Sequence, residues 1–233
     1  MHLSLPGRGH RRLCAPAIAL LAGVAGTAAA VAGNVTINVR DATGAPLDAA
    51  VVALYGESVA AANAPADRVH VMDQIDKQFA PRVLAIRPGD RISFPNSDDI
   101  RHHVYSFSPA KTFELPLYHG LSTEPIAFDV SGTVAVGCNI HDRMSAHIYV
   151  VDAPRFAVTE SGGANFAALP YGRYEYVVHH HSLAHGTTER TPLIIDDGAT
   201  VVNVTVDVKP PPMNDPAGLS PLEQKFQALR RAQ

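Results

Sequence analysis

Short runs of alternating apolar and polar residues dominate this chain. Val35, Ile37 and Val39 alternate with Thr36, Asn38 and Arg40, the two-residue period of a strand with one buried face. Gly44-Ala45-Pro46 turns the chain into a second β-like run at residues 49–55, and the Ala-rich, aperiodic residues 56–67 read as a loop. Residues 83–86 and 91–94 flank Pro88-Gly89-Asp90, a turn in which Pro presets φ and Gly supplies a positive φ. Asn96-Ser97-Asp98-Asp99 is another polar turn, and residues 102–107, 126–130, 133–136 and 147–151 are further short strands. After Asp152-Ala153-Pro154 the pattern restarts at 166–169, 173–179, 191–195 and 200–208, with turns at Pro170-Tyr171-Gly172 and Asp196-Asp197-Gly198. Many short strands separated by turn signals predict an all-β sandwich. The second stretch is long enough for a small β module of its own or for extra strands on the first. Pro210-Pro211-Pro212 ends it, and Leu222, Phe226 and Leu229 give residues 219–230 the spacing of a short tail helix.

The first 32 residues obey a different rule. Arg8, Arg11 and Arg12 precede an uncharged apolar run that ends in Ala28-Ala29-Ala30-Val31-Ala32. A basic start, an apolar middle and small residues at the end predict a cleaved secretory signal peptide, with an uncleaved anchor as the alternative. Ala and Gly outweigh Leu and Phe in that run, which favours cleavage. Arg11-Arg12 alone does not separate twin-arginine export from the general route. Cleavage implies a periplasmic protein with no membrane span in its mature chain.

Composition then changes the picture in one respect. The formal charge is −3 with 12 histidines and 2 cysteines. Losing three arginines and no acid with the leader takes the charge to −6, so nothing marks a nucleic-acid partner. Cys14 leaves as well, and Cys138 is then the sole cysteine. In an oxidising compartment a lone thiol is inert in a core, paired with another molecule, or occupied by a ligand such as a metal.

The segment Cys138-Asn139-Ile140-His141-Asp142-Arg143-Met144 places a thiol, an imidazole and a thioether three residues apart on a turn between strands. Soft sulfur donors with imidazole favour copper, and two His with one Cys and a long axial Met is the blue-copper arrangement. Zinc also accepts Cys and His, but Met is an unusual zinc ligand. The second His must come from elsewhere, and His102-His103 supplies two candidates. Strand alternation leans to His103, which shares a face with Tyr105 and Phe107.

At these residues the chain resembles the cupredoxins, small blue copper proteins such as amicyanin and plastocyanin. The C-x-x-H-x-x-M spacing is most similar to amicyanin, and Gln74, Phe79, Pro81, Val83, Gly89-Asp90, Ile92, Phe94, Asn96 and Val104 follow the pattern that leads to the first copper His. The resemblance covers about residues 69–151. The layout of HHVYSFSPAKTFELPLY with GCNIHDRM also resembles secreted cupredoxin-like proteins of the methylamine-utilisation type. It implies a Greek-key β-sandwich over residues 33–152 and one copper ion held by His102, Cys138, His141 and axial Met144. His103 stays the alternative first ligand. Asn96 is implied as a brace, and His141 as the edge offered to a redox partner such as a dehydrogenase or cytochrome. Where amicyanin has an Asn after the first ligand, this chain has His103.

Residues 35–54 and 166–206 resemble the carboxypeptidase-regulatory or transthyretin-like β module, a non-catalytic accessory. Residues 153–209 are therefore expected to form a second small β-sandwich, which residues 33–60 join or not. Residues 210–233 form a tail. His147 reads as a surface position, His119 as solvated, and Asp98, Asp99 and Asp142 as turn residues. His179-His180-His181 with His185 is a possible second metal tract, opposed by the fact that neighbours on a strand point to opposite faces. The expected function is a periplasmic type 1 copper carrier of single electrons, not an enzyme. The alternative is a copper-binding accessory or delivery protein without redox turnover.

Overall fold

The computed structural model describes residues 32–56, 67–120 and 124–209. Residues 1–31 of the expected leader and the proposed tail helix lie outside the described residues, whereas Ala32, the last residue assigned to the leader, opens a strand. Among the described residues the fold is all-β, as the alternation predicts, and no helix is long and apolar enough to cross a membrane. In chain order the strands are β1 (Ala32–Asp41), β2 (Val51–Gly56), β3 (Val69–Val71), β4 (Asp73–Ile75), β5 (Gln78–Ala80), β6 (Val83–Ile86), β7 (Asp90–Ser93), β8 (His102–Ser108) and β9 (Lys111–Tyr118). They continue as β10 (Ile126–Phe128), β11 (Gly132–Cys138), β12 (Ser145–Val150), β13 (Arg155–Val158), β14 (Gly163–Pro170), β15 (Gly172–His179), β16 (Thr191–Ile195) and β17 (Ala199–Val206).

Strands β3 to β12 make one half. A five-stranded sheet in the order β6-β12-β11-β8-β9 and a three-stranded sheet in the order β10-β7-β3 accompany the β4-β5 hairpin. Ile92, Phe94, Val104, Phe128, Val134, Val136 and Ile148 form their core, and Cys138 and Met144 belong to the same cluster. Each large side chain withdrawn here stabilises the fold by about 1.5–3 kcal/mol. Gly89 sits at φ 88° in the turn before β7, as the sequence requires. Strand β9 escapes the sequence reading because Pro116 interrupts it; β9 lies at the sheet edge, where a missing N–H is tolerated.

Strands β1, β2 and β13 to β17 form two other sheets, β14-β1-β17 and β13-β2-β15-β16. The N-terminal strands therefore pair with the C-terminal ones: β1 runs parallel to β17, and β2 antiparallel to β15. Val35, Ile37, Val52, Leu54, Phe166, Tyr174 and Val178 pack into their core.

The halves meet along β2 and β12, each buried on both faces. Val52 and Leu54 point into the core of their own sheets, while Val51 and Ala53 pack with Tyr149, Val151 and Ala153. Double burial explains the unbroken run Val51-Val52-Ala53-Leu54, where alternation would leave polar residues. Along β12, Ala146, Ile148 and Val150 face the core around Cys138, whereas Tyr149 faces the seam. His147, expected at an ordinary surface position, is half-buried with its ring stacked on that of His181.

Burial drives the basicity of the seam histidines down: His147 and His180 both fall to about 4, and His179 and His181 move the same way. Folded, these rings stay neutral while the unfolded chain takes up protons below its ordinary value of 6.5. No penalty exists above pH 6.5; it grows as pH falls from there toward 4. The melting temperature is expected to drop across that window, and His147→Gln to flatten the drop. Thermal melts at half-unit pH steps measure both.

Candidate metal centre

Cys138 ends β11, and the segment after it closes back on itself through two backbone bonds, Met144 N to His141 O at 3.0 Å and Cys138 N to Met144 O at 3.1 Å. This tight return brings the His141 ring to the thiol, with Nδ1 3.7 Å from Sγ. Strand β8 delivers the other imidazole: Val104 pairs with Cys138, and His102 Nδ1 stands 3.7 Å from the same sulfur. Ligand atoms of His102, Cys138 and His141 all lie within 4.8 Å of one another. Among the described residues no other group of three His, Cys, Asp or Glu converges so closely.

The donor set fits a metal ion. Bonds of about 2.3 Å to sulfur and 2.0 Å to nitrogen bring such donors within about 3.5–3.8 Å of each other at trigonal to tetrahedral angles. His102 is fully buried and Cys138 is 5% exposed, while His141 remains partly open to solvent. Burial above all, and then the neighbouring His102 and Lys77, hold His141 below its ordinary basicity. Met144 is 2% exposed within the same core as Cys138.

The structure separates the two adjacent histidines. His102 shares the Val104 face of β8, the face that packs against Cys138. His103 turns the other way, and its Nε2 meets Glu114 Oε1 at 2.8 Å. Alternation leaned to His103 because Tyr105 and Phe107 looked like the inner face. In fact the Tyr105 ring lies tilted against those of His103 and Phe107 in a row on the opposite side of the strand. His103 contributes its backbone: Asn139 N donates to its carbonyl at 3.3 Å, so the main chain ties the Cys loop here.

His102 is held from behind by a residue that the sequence presents as part of a turn. Asp98 Oδ2 meets His102 Nε2 at 2.6 Å, leaving Nδ1 to face the thiol. Asp98 also accepts the backbone N–H groups of Asp76 at 2.6 Å and Lys77 at 2.9 Å. Those two residues form the β4-β5 turn at φ 53° and 58°, a conformation that costs non-glycine residues energy unless the surroundings hold it. Burial pulls the Asp98 carboxyl upward, but hydrogen bonds from Lys77, His102 and Asp76 outweigh it and keep the group below its ordinary value. No Asn-Gly pair announces that hairpin, so only the fold brings it to the site.

Asn96, expected as a brace, works one step further out. Its Nδ2 donates to the carbonyls of Ile100 and Tyr118, and its Oδ1 accepts Asp98 N at 3.0 Å. Gln74 Nε2 donates to Pro95 O at 2.9 Å and to the Tyr118 hydroxyl, which donates to Phe94 O. Burial pushes Tyr118 up to about 12, so it remains a donor at every physiological pH.

No protein-family model and no curated protein matches this chain. Among solved structures, a reduced variant of amicyanin aligns over 45% of this chain and 100% of its own, at 21% identity and a TM-score of 0.34. A Cu(I) form of another amicyanin variant aligns over 43% and 98%, at 21% identity and a TM-score of 0.33.

Because Asp98 orients His102, Asp98→Ala is expected to weaken metal binding by about 10- to 100-fold while leaving the fold in place. Competition with a chelator of known affinity reads the loss, and Asp99→Ala, next door and away from His102, should match wild type.

Proposed function

We propose that this protein is a type 1 copper protein, a periplasmic carrier of single electrons exported through a cleaved leader. The observation that carries the reading is one buried thiol between two imidazole nitrogens. In this reading His102, Cys138 and His141 hold the ion, and Met144 is the weak axial donor that helps set the potential. Copper bound there would supply a one-electron couple.

The residues around it have separate tasks. Cys138 must give up its proton to bind, and both imidazoles must be neutral. The Asp98 bond supports His102 in one orientation, and the short closed loop from Cys138 to Met144 supports the other three. Donors placed by the folded chain before the ion arrives move little when its charge changes, which is what fast electron transfer needs. His141 is the partly exposed ligand, so we assign it the edge at which a redox protein partner would dock. With three strong donors and an axial sulfur, no open position is left for a substrate, and the reading is of a carrier rather than an enzyme.

A second reading is a copper accessory or delivery protein without redox turnover. It is favoured by the extra sheets formed by β1, β2 and β13 to β17, which add no ligand and offer a large surface for docking.

Loading the purified protein with Cu(II) tests the proposal. An intense blue thiolate-to-copper band that bleaches and returns in one-electron reduction is expected. A colourless protein that holds only Cu(I) would favour delivery. Cys138→Ser and His102→Ala should each abolish the band, whereas His103→Ala should keep it. A blue Cys138→Ser protein would overturn the site.

A further inference from the structure

Tyr105 is 2% exposed, yet it belongs to none of the three apolar cores of the described residues. It stands on the outer face of the five-stranded sheet, turned away from the Val104 face that packs with Cys138. Residues paired across strands share a face. For Tyr105 these are Gly137, which has no side chain, and Glu114, whose side chain is 59% exposed. Along its own strand the rings of His103 and Phe107 lie tilted beside it, with centroids 5.7 and 5.3 Å away. Such neighbours border the ring without roofing it. A side chain this dry touches about 6–12 other residues, so its burial calls for a further layer on this face.

The seam supplies one side of that layer. His147 and Tyr149 of β12 carry the same outer face, and Val51, Ala53 and the rings of His179 and His181 pack against them. Strand β8 lies two strand spacings beyond β12, about 10 Å. Residues 57–66 offer one large apolar side chain, Val59, and residues 121–123 offer Leu121. The tail offers four. Leu219, Leu222, Phe226 and Leu229 recur at three- and four-residue spacing along one side of a helix, with Gln224, Ala228 and Arg231 opposite. Ser220-Pro221-Leu222-Glu223 has the capping pattern of a helix start, with Pro at the first helical position. A helix this short is marginal alone in water, so its apolar side needs a surface.

The chain also enters the tail at the edge of that face. Lys209 N donates to Ser182 O at 2.9 Å, and Leu183 bridges Val208. Ser182 follows His181, whose ring lies on that of His147 at 4.4 Å. Residues 210–218 span up to about 30 Å when extended, and Pro210-Pro211-Pro212 favours extension. That reach exceeds the crossing from β12 to β8. We propose that residues 219–230 form an amphipathic helix lying across the outer face of β8 and β11, with Phe226 and its flanking leucines against Tyr105 and Phe107. The other face of the same two strands carries His102 and Cys138. The tail thus closes the back of the metal-site sheet, and both faces of β8 are dry because each has its own apolar layer.

Cross-linking within the full chain tests this docking. Phe226→benzoylphenylalanine, activated by light, is expected to join Tyr105 or Phe107 of the same molecule at a yield independent of protein concentration. Phe226→Asp should release the tail and raise hydroxyl-radical labelling of Tyr105 several-fold. Tyr149, buried in the seam, should stay protected in that variant and so show that the strands remain folded. Gln224→Asp, on the opposite side of the helix, should leave Tyr105 as in wild type. A cross-link to another surface overturns the proposal, as does a Phe226→Asp protein in which Tyr105 stays protected, or equal labelling of Tyr105 in both variants. Cross-links between molecules that grow with concentration assign the face to a second copy and overturn it as well.

Discussion

Strand β12 is the element on which the rest depends, because it is buried on both faces. One face, Ala146 and Ile148, closes the core that holds Cys138 and Met144. The other, Tyr149 with His147, forms the contact with β2 and with the turn after β15. A strand with two dry faces has no freedom to slip, since a one-residue shift would exchange its core and seam sets. Its start, immediately after Met144, therefore fixes where the Cys loop must close. Hydrogen bonds from Met144 N and Cys138 N finish the turn, and the thiol falls between the two imidazoles as a result.

The network behind His102 extends this rigidity to a second route. Asp98 joins three parts of the chain: the β4-β5 turn, the polar turn after Asn96 and the first residue of β8. Its carboxylate satisfies two backbone donors that a left-handed turn would otherwise leave facing water, and it fixes which nitrogen of His102 faces the sulfur. One acidic residue so provides turn stability and the orientation of the His102 ring together. Replacing it would loosen both.

Much of this was legible in the sequence, and the failures have physical causes. Local patterns carried the strands around Ile37 and Val204, the turn at Gly89, and the closeness of Cys138, His141 and Met144, because each is set by neighbours within a few residues. The ambiguity between His102 and His103 arose because both faces of β8 are buried, so alternation has no inner side to choose. Asp98 hid in a run typical of turns; what distinguishes it is the Asp76-Lys77 hairpin some twenty positions away. His147 looked bland because the ring that covers it belongs to His181. Pairings across the chain leave no short-range mark.

The pairing of β1 with β17 has a consequence for how this chain comes into being. Asn38 bonds to Asn203 across 165 positions, so the first strand emerges long before its partner exists. Everything from β3 to β12 is inserted between β2 and β13, with sheets of its own. Once that insert has collapsed, its two ends are held near each other, and the loop that β2 and β13 must close becomes short. Loop-closure entropy therefore favours an order of assembly in which the inner half forms first and the outer sheets, built from both ends of the chain, complete last.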